Sequence, residues 1–384
     1  MKTLFRFLFL LFFVIVLVLV IAFARGYRFD LEKRLVKSTG IIAATSNPQA
    51  AKVYINGELK GVTDTNLTLP PDNYLVEVKK DGFTSWSKKI NLKGELVINV
   101  DPVLFPISPS LSPLTNLGIV KAVVTDDGDK IVIVANDAIY LFDVGKKTLP
   151  FFTPLNKIIS RSLLPDNLDY SILKVIFSPN QNQAIFDFDQ NSYLLSLGED
   201  NLNPLEVTLS KDTLIQAWQN QKNKNISKIL ETYPRDFDKI ASDSFNIISF
   251  APNETKILYQ AKENIEIPVM INPPIIASNQ TSEERFLKKG QIYVYDRKED
   301  KNYQISNLQL ISNLKWYSDS RHLIIEENKK ISIVDYDDTN KQTVYSGPFE
   351  SSFFSPTSDG KVIVLINLNS QVNELPDLYL VGIR

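Results

Sequence analysis

The 384-residue chain contains no cysteine. That removes disulfide frameworks, zinc ribbons and thiol nucleophiles together. It has a single histidine, His322, which leaves little for metal ligation or imidazole acid–base chemistry. Neither sign of charge is in excess: 42 Lys plus Arg stand against 44 Asp plus Glu, a formal net charge of −2. Without a basic excess there is no electrostatic footprint for nucleic acid, and none is expected as a partner. A Gly-x-Ser-x-Gly elbow, a His-Glu-x-x-His pair and a phosphate-binding glycine loop are all missing. The sequence therefore assigns no catalytic, cofactor-binding or metal-binding residue and implies no cofactor.

What is present suffices for packed domains. Hydrophobic residues make up 44 % and aromatics 10 % of the chain, so wholesale disorder is excluded. The length accommodates two or three domains. Near the start, Phe7–Ala24 reads FLFLLFFVIVLVLVIAFA, eighteen residues without a charge and just long enough to span a bilayer as a helix. Lys2 and Arg6 precede it, and Ala22-Phe23-Ala24 has the small-x-small form of a signal-peptide cleavage site. The apolar core of a signal peptide is usually about 7–15 residues, so residues 1–30 read as a retained anchor, with a signal peptide as the alternative. Arg25, Arg28, Lys33, Arg34 and Lys37 follow the run, and the positive-inside rule would keep that side in the cytoplasm. Long downstream domains are nevertheless often translocated regardless of flanking charge.

Next comes NPQAAKVYINGELKGVTD, Asn47 to Asp64. Val53-Tyr54-Ile55 is a short β-type run, and Asn56-Gly57 is a strong hairpin signal. In the following TLPPDNYLVEVKKDGF, Tyr74, Val76 and Val78 share one strand face, and Leu75, Glu77 and Lys79 the other. Asp81-Gly82 turns the chain and INLKGELVINV adds more strand. Residues 40–101 thus read as a small antiparallel β unit. They resemble the PEGA domain through Ser46, Pro48, Ala51, Val53, Tyr54, Ile55, Asn56-Gly57, Gly61, Thr63, Tyr74 and Gly82-Phe83. Ala50 replaces the naming glycine, Asp64 a proline and Asn73 the glycine before Tyr74, the last a mild swap because asparagine tolerates left-handed φ. The resemblance implies a surface-associated prokaryotic β-sandwich without known catalytic residues, of a kind that serves as a spacer or adhesive unit just outside a membrane. That implication favours an extracytoplasmic position for everything after the anchor.

Residues 102–115 hold Pro102, Pro106, Pro109 and Pro113 and read as an extended linker, since four prolines oppose ladder pairing. From 116 to 384 a loose repeat follows, in units opening at Val124, Phe177, Phe250, Trp316 and Phe354. Each unit is apolar or aromatic, then polar turn residues, then two β-branched strands. Such meanders bury both faces only by stacking on one another. The pattern is similar to WD-repeat-like propellers of the TolB type, with Phe177-Ser178-Pro179-Asn180 and Phe250-Ala251-Pro252-Asn253 the nearest matches. Five blades are visible, and six or seven would fit the length. Two insertions interrupt the β pattern. Near 210–234, Leu214, Ile215, Trp218, Ile226, Ile229, Leu230 and Tyr233 repeat at helical spacing, Ser210 or Asp212 is placed to cap and Pro234 to terminate. This reads as a helical hairpin on the propeller rim. Near 266–290 lies a long proline-bearing loop, the leading contact-surface candidate because long loops are often functional.

Chemistry is sparse. His322 sits in a strand-like RHLII without an evident partner and reads as structural. Asp187, Asp189 and Asn191 alternate as in calcium loops, but Ser192 stands where such loops need glycine, so a hairpin turn is the better reading. Trp86 and Trp316 read as core rather than as sugar-stacking platforms. The expectation is a mainly β protein: an N-terminal transmembrane helix, a small PEGA-like β-sandwich, then a β-propeller with a helical insertion. Its role reads as a membrane-anchored extracytoplasmic scaffold, adhesion or binding protein of the prokaryotic cell envelope. Expected partners are the membrane, through the N-terminal helix, and a cell-wall polymer or another surface protein. The alternative is a carbohydrate-active propeller enzyme using paired carboxylates at the axis. A cytoplasm-facing assembly platform follows from the flanking charges.

Overall fold

The structure is a computed structural model and describes residues 2–24, 28–30, 35–144, 155–276, 279–305, 313–350, 353–368 and 374–384. They form two compact units, Met1–Pro106 with Pro273–Ser282, and Ile107–Asn272 with Glu283–Arg384. The first unit begins with helix α1, Lys2–Ala24. No residue between Phe5 and Ala22 is buried, although all but Arg6 are apolar. By length and composition this helix is able to cross a bilayer, as a membrane anchor or a signal sequence would. A short antiparallel pair, Arg28–Asp30 with Leu35–Lys37, follows.

Two sheets then make a sandwich. In the first, Gly40–Ala44 lies between Thr65–Leu69 and Val97–Val100. The second has the order Glu58–Val62, Lys52–Ile55, Asp72–Lys79, Trp86–Leu92. Period-2 alternation decides which side chains meet between them: Ile42, Ala44, Val53, Ile55, Val76, Val78, Ile90 and Ile98 form the core. Tyr74 packs against that core with Val76 and Val78, as the alternation requires. Asn56 and Gly57 have φ of 50° and 82°, the left-handed pair that a tight two-residue hairpin needs. One expectation is corrected here. Gly40–Ala44 and Val97–Val100 pair in parallel, because the chain returns to that sheet only after crossing through the other one.

The PEGA pattern residues have physical roles. Ser46 Oγ and Thr63 Oγ1 share a buried hydrogen bond of 2.7 Å, and Ala51 N donates to Thr63 Oγ1 at 3.0 Å. Ala50, where the pattern has glycine, sits at φ 60°. The backbone still demands the left-handed region there, and a Cβ in that region costs roughly 1–2 kcal/mol. Asn73 does not need that region. It belongs to the strand Asp72–Lys79, so its tolerance for left-handed φ is not what admits it.

The linker reading is also corrected. Val103 bridges Asn47, Pro106 bridges Phe83, and Leu104 and Phe105 are buried, so this stretch finishes the sandwich. Ser110–Pro113 is a strand, paired antiparallel with Asp377–Gly382. It is an edge strand, with one free side, and Pro113 stands at its end where a missing N–H is tolerated.

Among the described residues the second unit holds five four-stranded antiparallel sheets, four of them meanders and the fifth completed by a strand from the start of the unit. Blade 1 is Ile119–Val124, Lys130–Ala135, Ala138–Asp143 and Leu155–Ser160. Blade 2 is Lys174–Phe177, Gln183–Asp187, Ser192–Ser196 and Leu205–Glu206. Blade 3 is Phe245–Phe250, Lys256–Ala261, Ile292–Asp296 and Lys301–Ile305. Blade 4 is Leu314–Trp316, His322–Glu327, Lys330–Asp335 and Gln342–Tyr345. Blade 5 is Phe354–Pro356, Val362–Ile366 and Asp377–Gly382, completed by Ser110–Pro113 from the start of the unit. A matching turn follows the first strand of every blade: Thr125 N to Lys130 O, Ser178 N to Gln183 O, Ala251 N to Lys256 O, Tyr317 N to His322 O and, one residue shorter, Thr357 N to Lys361 O, each 2.9 Å. This register moves the fifth repeat. Thr357, not Ser355, matches Ser178, so Phe354 lies two residues ahead of the position that Phe177 occupies.

Blades stack face to face, as in a propeller. One apolar cluster joins blades 1 and 2, another blades 3 and 4, and a third blades 5 and 1. Blades 4 and 5 touch through Lys315 Nζ on Phe354 O at 2.7 Å and Tyr317 Oη on Gly360 O at 2.9 Å. The other face of blade 3 is covered by the helical insertion. Helices α2, Lys211–Leu230, and α3, Phe237–Ser244, pack Leu230, Tyr233, Phe237 and Ala241 against Phe245, Ile257, Tyr259 and Tyr295. Lys211 also pairs with Asp187 of blade 2 at 3.0 Å, and Lys222 with Asp126 of blade 1. The insertion is therefore a joint between blades rather than an ornament on the outer rim. Ser210 stands before α2 but makes no side-chain cap bond.

Candidate functional site

The chemistry singled out in the sequence is structural where it can be seen. His322 is buried, with Nδ1 at 2.6 Å from Asp319 Oδ2 and Nε2 at 3.1 Å from Asp335 Oδ1. Only the imidazolium can donate from both nitrogens. Burial alone would lower its pKa, but the bonds to Asp319 and Asp335 overcome this and push it up to about 9. The Asp319 carboxyl would be raised by burial and is instead held below its usual range by His322. The triad lies between the first turn of blade 4 and the end of its third strand, so it ties the two inner hairpins together.

Asp187 receives Lys211 Nζ at 3.0 Å, Ser192 Oγ at 2.9 Å and Asp189 N at 3.2 Å. An ammonium and local turn donors thus occupy the carboxylate that a calcium reading would need, and no cluster of metal-ligating side chains occurs among the described residues. Trp316 is buried between blades 3 and 4, and Trp86 packs against the sandwich core. Neither stands free as a sugar platform.

The long loop is more ordered at its base than the sequence suggests. Ile265–Glu266 pairs with Phe286–Leu287, and Ile267 and Leu287 are fully buried. Asp300 holds the next turn, accepting from Met270 N at 2.6 Å and Ile271 N at 2.8 Å, with Arg285 beside it. Val269, Ile275 and Ile276 remain exposed.

The more telling feature lies on the innermost strands, which border the propeller axis. The first strand of each blade is innermost, and those of blades 3, 4 and 5 are in contact. The five read IVKAVV, KVIF, FNIISF, LKW and FSP. Their only charged residues are Lys121, Lys174 and Lys315, and they carry no Asp or Glu. Lys121 and Lys174 both lie four residues before the blade turn and Lys315 two before it, so all three share one strand face. The opposite face packs on the preceding blade, through Ala122 and Val124, Val175 and Phe177, and Leu314 and Trp316. The lysines accordingly point the other way. Lys121 Nζ donates to Ser171 O at 3.0 Å, in the segment entering blade 2. Lys315 Nζ donates to Phe354 O at 2.7 Å and lies 4.9 Å over the Phe354 ring. Burial lowers the Lys315 pKa to about 8. Lys174 is exposed. The sequence reading missed this set. The spacing from the unit openings at Val124, Phe177 and Trp316, three residues for Lys121 and Lys174 and one for Lys315, was the available signal.

Residues 39–107 match the family model of the PEGA domain. The sandwich is a PEGA domain. No curated protein matches the chain. Among solved structures, a protein described as TolB from Agrobacterium tumefaciens aligns at 12 % identity and a TM-score of 0.24, covering 67 % of this chain and 76 % of its own. An oligogalacturonate lyase from Vibrio parahaemolyticus aligns at 8 % identity and a TM-score of 0.25, covering 87 % of this chain and 97 % of its own. At such scores neither carries chemistry across to this chain. The propeller rests on its own five sheets.

Proposed function

We propose that the protein is a membrane-anchored, extracytoplasmic scaffold, adhesion or binding protein of a prokaryotic cell envelope, without catalytic activity. The observation that carries this reading is the order of parts: an apolar helix left exposed by the described residues, then a PEGA domain, then a propeller. Its partners on this reading are the membrane, through α1, and a cell-wall polymer or a second surface protein. A carbohydrate-active enzyme would need two carboxylates facing one bond. The innermost strands bring lysines instead, which favours binding over hydrolysis.

Topology tests the proposal directly. A tag is placed after Arg384 and intact cells are treated with protease, with a cytoplasmic protein as control. The expected result is loss of the tag while the control survives. A tag digested only after the membrane is broken would overturn the extracytoplasmic reading and direct the search to cytoplasmic partners.

A further inference from the structure

The sandwich sheet that begins with Glu58–Val62 ends on Trp86–Leu92, and among the described residues no strand lies along the outer edge of that last strand. Such an edge is a template for another extended chain. One side chain already uses it. Gln280, in the stretch Pro273–Ser282 that groups with the sandwich, accepts from Asn91 N at 2.6 Å through Oε1 and donates from Nε2 to Asn91 O at 3.1 Å. Two opposed bonds to the N–H and C=O of one residue are what a paired residue makes in an antiparallel ladder. The Gln280 carboxamide therefore stands in for the peptide group of a next strand. Both residues are exposed, so water competes for these bonds and the contact can open.

We propose that the outer edge of Trp86–Leu92 is a strand-addition surface for an extended acidic peptide of a partner protein, and that Gln280 covers it as a latch until that partner arrives. Charge selects the partner. From Gly82 to Gly94 the sequence has Lys88, Lys89 and Lys93 and no Asp or Glu, whereas Pro273–Ser282 carries no charge at all. The latch thus supplies backbone-like bonds without a counter-charge, and a strand bearing carboxylates supplies both. A second copy is the poorer occupant. Antiparallel pairing of two such edges about Lys89 would set lysine opposite lysine, and edge lysines are a usual guard against that pairing. In strand addition the main chain gives affinity and the side chains give choice. Because the surface lies within the sandwich and the stretch grouped with it, it goes beyond the envelope role and holds on either side of the membrane.

The test uses the full chain in nanodiscs of uncharged lipid and two labelled peptides, one alternating Glu with Thr and the other Lys with Thr, each about a central Gln. Fluorescence anisotropy should show binding of the Glu peptide and none of the Lys peptide. Gln280→Ala should tighten the Glu peptide about fivefold, the size of one released hydrogen bond, and Lys89→Glu should weaken it. Amide exchange fixes the place: Gln280→Ala should speed exchange across Trp86–Leu92 and the Glu peptide should slow it again, with the core strands of the sandwich unchanged. Equal affinity for the native and Gln280→Ala proteins, or binding that leaves Trp86–Leu92 unprotected, would overturn the proposal. So would a Lys peptide that binds as tightly, or a Glu peptide that binds neither protein. Dimerisation of the Gln280→Ala chain in place of peptide binding would give the edge to a second copy and overturn the choice of partner.

Discussion

His322 shows how one side chain can carry a measurable pH dependence. With a carboxylate oxygen at each ring nitrogen, it holds its proton up to about pH 9, against an ordinary 6.5. Below pH 6.5 the ring is protonated in the folded and unfolded chain alike, and its bonds contribute fully. Between 6.5 and about 9 the unfolded ring gives up its proton while the folded one keeps it, so stability falls as pH rises through this window. The contribution at stake is on the order of 3 kcal/mol. We expect the denaturation midpoint of the native chain, followed by tryptophan fluorescence, to fall between pH 6.5 and 9. The His322→Gln protein should be less stable overall and flatter across the same window; an unchanged slope would show that other groups set it. Asp319 and Asp335 could not be chosen as its partners from the sequence. Asp319 lies in the adjacent turn, but Asp335 arrives only through the pairing of His322 with it across the hairpin.

At the scale of elements, the helical insertion separates periodicity from packing. Residues 214–233 repeat as a helix should, and α2 forms where that repeat lies. The repeat does not say what its apolar side meets. The end of the repeat and helix α3 together meet an aromatic face of blade 3: Phe237 of α3 stacks on Tyr295 with ring centroids 4.2 Å apart, beside Phe245 on Tyr259 at 3.7 Å within the blade. Phe237 is fully buried. Phe237→Ala should therefore cost about 3–5 kcal/mol in urea unfolding, by lost burial and the cavity it leaves. Lys222→Ala, which removes only a partly exposed ion pair, should cost less than about 1 kcal/mol. Equal effects would mean that the insertion is held by charge as much as by aromatic packing. The PEGA hairpin is the opposite case: Asn56-Gly57 spells its own turn, because the left-handed φ that both residues tolerate closes a two-residue loop with the twist of the strands.

For the molecule as a whole, closure of the ring is the step that joins the ends of the second unit. Ser110–Pro113 pairs with Asp377–Gly382, and Asp377 fastens the approach. Its Oδ1 accepts from Thr115 Oγ1 at 2.9 Å and Leu117 N at 2.7 Å, and Leu378 N returns a bond to Thr115 Oγ1 at 2.9 Å. Asp377 is buried, so removing it strands those donors. Asp377→Ala should destabilise the propeller by about 2–3 kcal/mol and expose residues 107–117 to limited proteolysis before the rest of the unit. Uniform proteolysis would mean that the blades hold the ring without this fastening.

The sequence by itself determined whatever is written between near neighbours: an apolar run long enough for a bilayer, the alternating strands and turn of the PEGA sandwich, four of the five repeated turns and the helical insertion. These are local because period and turn chemistry are properties of a few consecutive residues. Tertiary structure alone decided the parallel pairing in the sandwich, the use of a proline-bearing edge strand to close the ring and the place of the helices between blades. It also decided that Lys121, Lys174 and Lys315 lie on the innermost strands. Those outcomes depend on which distant faces meet, and a strand face carries no mark of its partner until burial and pairing across the whole chain select one.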